Sequence, residues 1–159
     1  MRENVDAIVN EAVCALFGAQ GIPLMPAAGC GAFGVVAVVG FAGSKMRGSL
    51  GLGVRGVAEL VGAFDIEDWT AEMANQLLGR ISNRFAERGV EVDLAAPMLL
   101  RGVELRVDQG SSSVFSYPFH SSGGEVCAWL DVRPLGNLSL LAPETSSQRA
   151  VAEGDVCLF

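Results

Sequence analysis

Apolar residues recur every three to four positions in two long segments of the chain, and this spacing predicts two amphipathic helices. The first is expected from Glu3 to Gly18, where glycine and proline residues follow and end it. The second is longer, from about Asp65 to Arg88, and Gly89 closes it. Its first turn is acidic and its last turn carries arginines, as the helix dipole favours. A short helical turn is also expected at Val57 to Val61.

Apolar and polar residues alternate in most of the remaining chain, which predicts β-strands. The first two strands are expected at Phe33 to Phe41 and Met46 to Val54, and the short turn between them makes them a hairpin. The strands expected after the long helix are Glu91–Leu94, Leu99–Val107, Ser113–Phe119 and Val126–Val132. This order predicts a single α+β domain, in which two long helices pack on a mostly antiparallel sheet.

Length, composition and charge narrow the class of protein. The chain has 159 residues, of which 50% are hydrophobic and 18% charged, and its mean hydropathy is +0.39, so it is not a disordered tail. Eleven basic residues against 18 acidic ones give a net charge of −7, with no basic run. We therefore expect no nucleic-acid partner and no binding to anionic lipid. The longest apolar run, Ala32 to Val39, is too short to span a bilayer.

The cysteines and the histidine offer little chemistry. Four cysteines (Cys14, Cys30, Cys127 and Cys157) would suffice for two disulfides in a secreted chain, but no CxxC pair occurs. Met1 to Asn4 do not form a basic segment followed by an apolar one, so we expect no secretory signal. We expect a reducing cytoplasm and four small, buried or half-buried hydrophobic side chains. His120 is the only histidine and lies among glycines and serines, which favours a solvated loop. We expect no metal site and no cofactor of the chain's own.

Two stretches match the pattern G-x-G-x-x-G, at Gly29–Gly31–Gly34 and at Gly51–Gly53–Gly56. A dinucleotide-binding fingerprint needs a strand before the glycines and a helix directly after them. The first match leads into a strand, and the second lies within one. We therefore expect neither to bind a nucleotide.

A helical wheel divides the long helix into two faces. The apolar stripe expected to face the core consists of Ile66, Thr70, Met73, Ala74, Leu77, Leu78, Ile81 and Phe85. The opposite face consists of Asp68, Ala71, Glu72, Asn75, Gly79, Ser82, Asn83 and Ala86. This face has small side chains where a solvated helix usually carries long charged ones, and Gly79 costs about 1 kcal/mol relative to alanine. The residues alone leave two interpretations equally open, a docking surface and an ordinary polar face.

The pattern Asp68-x-x-x-Glu72-x-x-Asn75, with Pro97 following 22 positions after Asn75, resembles the signature of the CheC/CheX/FliY phosphatases. Members of that family remove phosphate from the chemotaxis response regulator CheY. The glycine-containing hairpin before the helix and Pro118-Phe119 near the end are also similar to the family. The resemblance covers about residues 3–133.

The resemblance implies the fold, the branch of the family and the assembly. One Glu-x-x-Asn site per chain is similar to the CheX branch, because CheC-type chains carry two. Residues 1–133 are then a CheX-like phosphatase domain, and 134–159 are a C-terminal extension. CheX-like proteins resemble one another in forming homodimers through sheet edges, so a homodimer is expected. The stretch between Val54 and Asp68 is short for the family, so a helix usual there is trimmed or missing.

The resemblance also implies roles for individual residues. Asn75 would orient the attacking water, and Glu72 would pair with a lysine of a phosphorylated CheY-like regulator. The partner-binding residues would be Asp68, Gln76, Gly79 and Asn83, with Asp68 also favouring the helix N-terminus. The Mg²⁺ ion would belong to the regulator. Two alternatives remain, a catalytically silent CheX-like binding module and a structural subunit of an assembly similar to a motor switch.

Overall fold

The computed structural model describes residues 2–60, 62, 65–107 and 113–136, which form three helices and one seven-stranded sheet. The helices are α1 (Arg2–Ala19), α2 (Val57–Leu60) and α3 (Ile66–Ala86). The strands are β1 (Met25–Pro26), β2 (Phe33–Ala42), β3 (Met46–Arg55), β4 (Asp93–Leu94), β5 (Met98–Leu105), β6 (Val114–Ser121) and β7 (Gly124–Pro134). All pairs among these strands are antiparallel, which confirms the predicted α+β class.

The sheet is built around the hairpin of β2 and β3. Its strand order is β1-β6-β7-β3-β2-β4, and β5 also pairs with β2. In the centre, Leu50 of β3 lies opposite Val39 of β2 on one side and Leu130 of β7 on the other. Both β4 and β5 lie along the far side of β2, so one edge of the sheet consists of these two strands in sequence.

One face of the sheet carries the two long helices and the main core. Alternate residues of β3 (Leu50, Leu52 and Val54) point into this core, as the alternation predicts. Helix α3 contacts β2, β3 and α1. Its predicted apolar stripe is buried throughout except at Ile66, which is half-buried. The sheet therefore holds α3 by one face and leaves the other face to solvent.

The other face of the sheet carries a small cluster in which the glycines of β3 make room for aromatic rings. A Cβ atom at Gly53 would lie 2.7 Å from the ring of Phe33 and 3.0 Å from that of Trp129, and one at Gly51 would lie 3.3 Å from Trp129. The two rings pack edge to face with their centroids 5.6 Å apart. The second G-x-G-x-x-G match thus lies mainly within a strand, as predicted, and two of its glycines serve packing.

The shortest elements differ most from the prediction. Strand β1 was not predicted, because two residues paired with Phe119 and His120 have no periodicity to detect. The strand predicted from Glu91 to Leu94 is reduced to Asp93–Leu94. The predicted short helical turn after β3 is confirmed as α2. His120 is exposed, but it lies in β6 rather than in a loop.

The cysteine prediction is wrong for the described residues. Cys30 and Cys127 form a disulfide, with their Cα atoms 5.7 Å apart, and Cys14 is exposed on α1 rather than buried. The disulfide joins residues 97 positions apart in sequence. Such a pair depends on the tertiary arrangement, which cysteine spacing does not reveal. Cys157 lies outside the described residues.

The last described strand, β7, ends one residue beyond the predicted boundary at 133. β7 runs to Pro134, which lies opposite Met46. The backbone N–H of Leu135 donates a hydrogen bond to the carbonyl oxygen of Lys45, at 2.8 Å. Residues 137–159 lie outside the described part of the chain, so the separate extension from 134 to 159 stays a prediction. Within the described ranges, no helix is long and apolar enough to cross a membrane.

Candidate functional site

The site helix α3 begins at a well-defined cap. The Asp65 side chain accepts hydrogen bonds from the backbone N–H groups of Glu67 and Asp68, at 2.9 and 3.1 Å. Asp65 thus satisfies two of the backbone donors that every helix N-terminus leaves without a partner. The side chain of Asp68 is exposed in the first turn, where a carboxylate interacts favourably with the helix dipole.

Contacts with α1 fix the position of α3 along its length. Near its start, Trp69 packs edge to face against Phe17, with ring centroids 6.2 Å apart. Near its end, Arg84 forms ion pairs with Glu11 at 2.5 Å and with Glu87 at 3.2 Å. Hydrogen bonds to these two carboxylates, first to Glu87 and then to Glu11, raise the pKa of the Arg84 guanidinium. The helix is therefore held at both ends as well as along its buried face.

The structure places all the predicted site residues along the solvent side of this one helix. Five of them are exposed, namely Asp68, Glu72, Asn75, Gln76 and Asn83, and Gly79 is half-buried. Glu72 and Asn75 lie one turn apart and therefore project from the same side. A partner that contacts one of these two side chains can reach the other without any movement of the helix.

The two central side chains differ in their hydrogen bonding. Glu72 accepts a hydrogen bond from Gln76, one turn further along, with Nε2 and Oε1 2.7 Å apart. The Asn75 carboxamide makes no hydrogen bond to any other described residue, and the residue is exposed. A carboxamide can accept a hydrogen bond from a water and donate one to a neighbouring anion at the same time.

Gly79 leaves an open area on the same face. A Cβ atom added there would find no atom within 4 Å, so packing within the described chain does not require glycine. The Ser82 hydroxyl donates to the Gly79 carbonyl oxygen at 2.9 Å, and this keeps the serine side chain against the backbone. No side chain therefore projects from the helix at Gly79, and another molecule can approach the helix backbone closely there.

An ion pair that the sequence did not indicate joins the start of α3 to the edge of the sheet. Arg101 of β5 pairs with Glu67. Its hydrogen bond to Glu67, and then the charge of that carboxylate, raise the pKa of the Arg101 guanidinium. Both residues lie in strongly predicted elements, but only the crossing of β5 beside α3 brings them together. Pro97, the last residue of the family-like pattern, lies exposed in the loop between β4 and β5.

The described residues contain no group of three histidine, cysteine, aspartate or glutamate side chains arranged to hold a metal ion. The two central side chains, Glu72 and Asn75, offer one carboxylate and one carboxamide on the exposed side of α3. Neither group is a strong nucleophile or base under ordinary conditions. The exposed side of α3 therefore offers hydrogen bonds and negative charge to a bound molecule.

No protein-family model matches the chain, and no curated protein is significantly similar to it in sequence. Solved structures are similar in fold. The CheX chemotaxis protein of Vibrio vulnificus superposes with a TM-score of 0.70 at 19% identity, over 81% of this chain and 96% of that one. A CheC-like superfamily protein from Shewanella sp. PV-4 gives 0.72 at 18% identity, over 84% of this chain and 99% of that one.

A third similar structure is a complex. It is the CheX–CheY–BeF₃–Mg²⁺ complex from Borrelia burgdorferi, with a TM-score of 0.60 and 19% identity over 82% of this chain and 96% of that one. These superpositions confirm that the chain has the CheX/CheC-like fold that its sequence pattern predicts. They cover nearly the whole length of the similar proteins.

Proposed function

We propose that this protein is a phosphatase of the CheX type, which hydrolyses the aspartyl phosphate of a CheY-like response regulator in the cytoplasm. The observation that carries the proposal is the placement of Glu72 and Asn75 one turn apart on the exposed face of the firmly held helix α3. The CheX-like fold supports it, since the similar Borrelia burgdorferi protein is in a complex with CheY.

Asn75 orients the attacking water. An aspartyl phosphate is an acyl phosphate and already activated, so its hydrolysis depends mainly on a water held in line with the departing oxygen. The carboxamide oxygen accepts a hydrogen bond from that water, whose oxygen attacks phosphorus. The bond from phosphorus to the regulator's aspartate oxygen breaks, which releases inorganic phosphate and a carboxylate. The regulator supplies the Mg²⁺ ion and the groups that bind the phosphoryl oxygens.

Glu72 sets the depth and the direction of docking. In the free protein its carboxylate accepts a hydrogen bond from Gln76, which keeps it on the face that also carries Asn75. A lysine ammonium of the regulator forms a charge-assisted hydrogen bond with the same carboxylate. Because the whole chain has a net charge of −7, attraction to a phosphorylated partner must come from such local pairs.

Gly79, Asn83 and Asp68 complete the docking surface. The open area at Gly79 admits a loop of the regulator close to the helix backbone. Asn83 extends the polar contact beyond it, and Asp68 adds negative charge at the other end. These residues bind the partner but take no part in the proton and phosphoryl transfers.

The protein acts as a homodimer through the edge strand β5. This strand pairs only with β2 among the described strands, so its other edge is open to a second copy. Three of its apolar side chains are solvent-exposed: Met98 at 57%, Leu100 at 41% and Val103 at 97%. An exposed apolar edge of this length is a common site of strand pairing between chains.

The function is tested by the release of inorganic phosphate from a phosphorylated CheY-like regulator of the same genome. The protein is expected to increase the rate in proportion to its concentration when it is substoichiometric to the regulator. If the regulator charged with BeF₃⁻ and Mg²⁺ binds but phosphate release stays at its spontaneous rate, the protein is a silent binding module. If the protein instead co-purifies stably with a larger assembly whether or not the regulator is phosphorylated, it is a structural subunit.

A further inference from the structure

The outer face of the sheet, opposite the helices, holds a covalent link that plays no part in the proposed reaction. Cys30 comes from the loop 27–32 between β1 and β2, and Cys127 comes from β7 near the centre of the sheet. Their Cα atoms are 5.7 Å apart, within the usual range for a disulfide. The link lies in the small apolar cluster that includes Phe33, Val36 and Trp129.

The two sulfur atoms differ in their access to solvent. Cys127 is 1% exposed, whereas Cys30 is half-buried in a loop and has a glycine on each side. An external thiol can therefore reach the link only from the side of Cys30. When an external thiol attacks the Cys30 sulfur, Cys127 is released as a thiolate, which becomes a thiol within the apolar cluster.

Besides the disulfide, the middle of this loop is held by the packing of Gly31 against the Arg55–Glu125 ion pair. The loop is fixed at one end by a hydrogen bond from Ala27 N–H to the Pro118 carbonyl oxygen, at 2.9 Å. At the other end Arg55 donates to the Ala32 carbonyl oxygen at 3.4 Å. Within the described chain, no backbone hydrogen bond holds residues 28–31. Cleavage of the disulfide thus frees a short glycine-containing segment whose two ends stay attached.

The apolar cluster beneath the loop contains a polar group, the Trp129 indole N–H, that would be hydrated if the loop opened. The indole Nε1 of Trp129 is buried and has no acceptor among the described residues. A buried donor without an acceptor is unfavourable, and the penalty is relieved when water reaches it. The closed arrangement therefore depends on the covalent link more than a fully satisfied cluster would.

We propose that Cys30–Cys127 is a reversible redox site, a disulfide that closes the outer face over Trp129 when oxidised and opens it when a cellular dithiol reduces it. A thiolate of the dithiol attacks the Cys30 sulfur, and the Cys127 thiolate leaves and takes up a proton. The second thiol of the reductant then attacks the mixed disulfide and releases the Cys30 thiol. The protein gains two electrons and two protons, and the dithiol becomes a cyclic disulfide.

The opening changes the surface beside the edge of the sheet. The cluster also includes half-buried residues of β2 and β5, such as Val38 and Leu105. Loss of the loop from this face exposes apolar surface next to these strands, on the side of the sheet away from α3. The redox state therefore changes the outer face while the helix that carries Glu72 and Asn75 keeps its own contacts.

The full-length protein tests this directly. After oxidation with oxidised glutathione, intact mass and peptide mapping should show the Cys30–Cys127 link. Millimolar dithiothreitol under native conditions should remove it and shift the emission of Trp129 to the red, measured with Trp69→Phe so that only one tryptophan emits. Because the link closes a loop of 97 residues, reduction should lower the Tm by on the order of 10 °C.

Two variants show whether the Cys30–Cys127 link itself controls the exposure of Trp129. Cys30→Ser should give the red-shifted emission under both conditions, and Cys14→Ser, which alters the exposed thiol of α1, should behave as wild type. The proposal would be overturned if Cys30 and Cys127 stay unlinked after oxidation, or if dithiothreitol reduces the link only when the chain unfolds. Identical Trp129 emission in the oxidised and reduced states would also overturn it. The wild-type titration decides the question even if Cys30→Ser does not fold.

Discussion

Gly79 lies in the interior of α3, and a methyl group at its Cα would meet no atom of the described chain within 4 Å. Alanine would therefore fit, and it would favour the helix by about 1 kcal/mol. A residue that costs stability and fills no packing need is best explained by something outside the chain. In the proposed function, that is the surface of the regulator, which approaches the helix backbone beside Asn75.

Gly79→Ala is therefore expected to make the protein more stable and the phosphatase less effective. Its Tm should rise by about 2–4 °C, since roughly 1 kcal/mol has that effect in a domain of this size. The KM for the phosphorylated regulator should rise at the same time. Gly18→Ala is the matched control, because Gly18 lies in α1 with equally open space around it. A Gly79→Ala protein with unchanged KM would remove this residue from the docking surface.

Glu72→Gln tests the charge that pairs with the regulator's lysine. Glutamine keeps the shape of the side chain and its ability to accept from Gln76, but it removes the negative charge. We expect KM to rise about tenfold with kcat nearly unchanged, because a charged pair at an interface contributes on this scale. Glu91→Gln removes the same charge from an exposed residue outside α3 and should leave KM as it is. Equal effects from the two variants would indicate a general charge effect.

At the level of elements, α3 is where sequence and structure agree most closely. Its 21 residues repeat the apolar pattern often enough to fix its type, its buried face and its start at the Asp65 cap. The helix ends at Ala86, two residues before the predicted Arg88, and Glu87 to Gly89 form a turn in which Gly89 has φ 71°. The two-residue strands β1 and β4 carry no such repeat and depend on their partners in the sheet. The Arg101–Glu67 pair and the Cys30–Cys127 link depend on the crossing of distant elements. Local periodicity predicts none of these contacts.

The N-cap offers a test of how α3 is held. Asp65→Ala removes an acceptor for two backbone N–H groups and should cost about 1 kcal/mol, measured as a lower midpoint in urea unfolding. Asp65→Asn keeps a side-chain oxygen and should cost much less. If both variants unfold at the wild-type midpoint, the cap does not contribute to the stability of the helix.

At the scale of the whole molecule, the sheet has two unlike edges. The edge at β1 is two residues long, whereas β5 is eight residues long and carries three exposed apolar side chains, Met98, Leu100 and Val103. Helix α3 lies over β2 and β3, and the Arg101–Glu67 pair joins its first turn to β5. Glu72 and Asn75 are exposed on the side of α3 opposite its buried face, so a dimer that pairs the open edges of β5 would leave both copies of these residues available to regulators.

Size-exclusion chromatography with light scattering should give a molar mass twice the chain mass of 16.6 kDa, as expected for a homodimer. Leu100→Lys together with Val103→Lys should reduce this to the monomer, because buried lysines at the edge oppose strand pairing. Met25→Lys, at the β1 edge, should leave the dimer intact. A wild-type protein that elutes as a monomer at high concentration would contradict the proposed assembly.

One kinetic comparison tests whether the Asn75 carboxamide on α3 orients the attacking water. Dephosphorylation of the regulator is followed at saturating phosphatase for wild type, Asn75→Ala and Asn83→Ala, which removes the same group about 12 Å further along the helix. We expect Asn75→Ala to bind the regulator but to lose on the order of 10²-fold in rate, as misplaced reacting groups do, while Asn83→Ala keeps the wild-type rate at saturation. An Asn75→Ala protein as fast as wild type would contradict this role of Asn75.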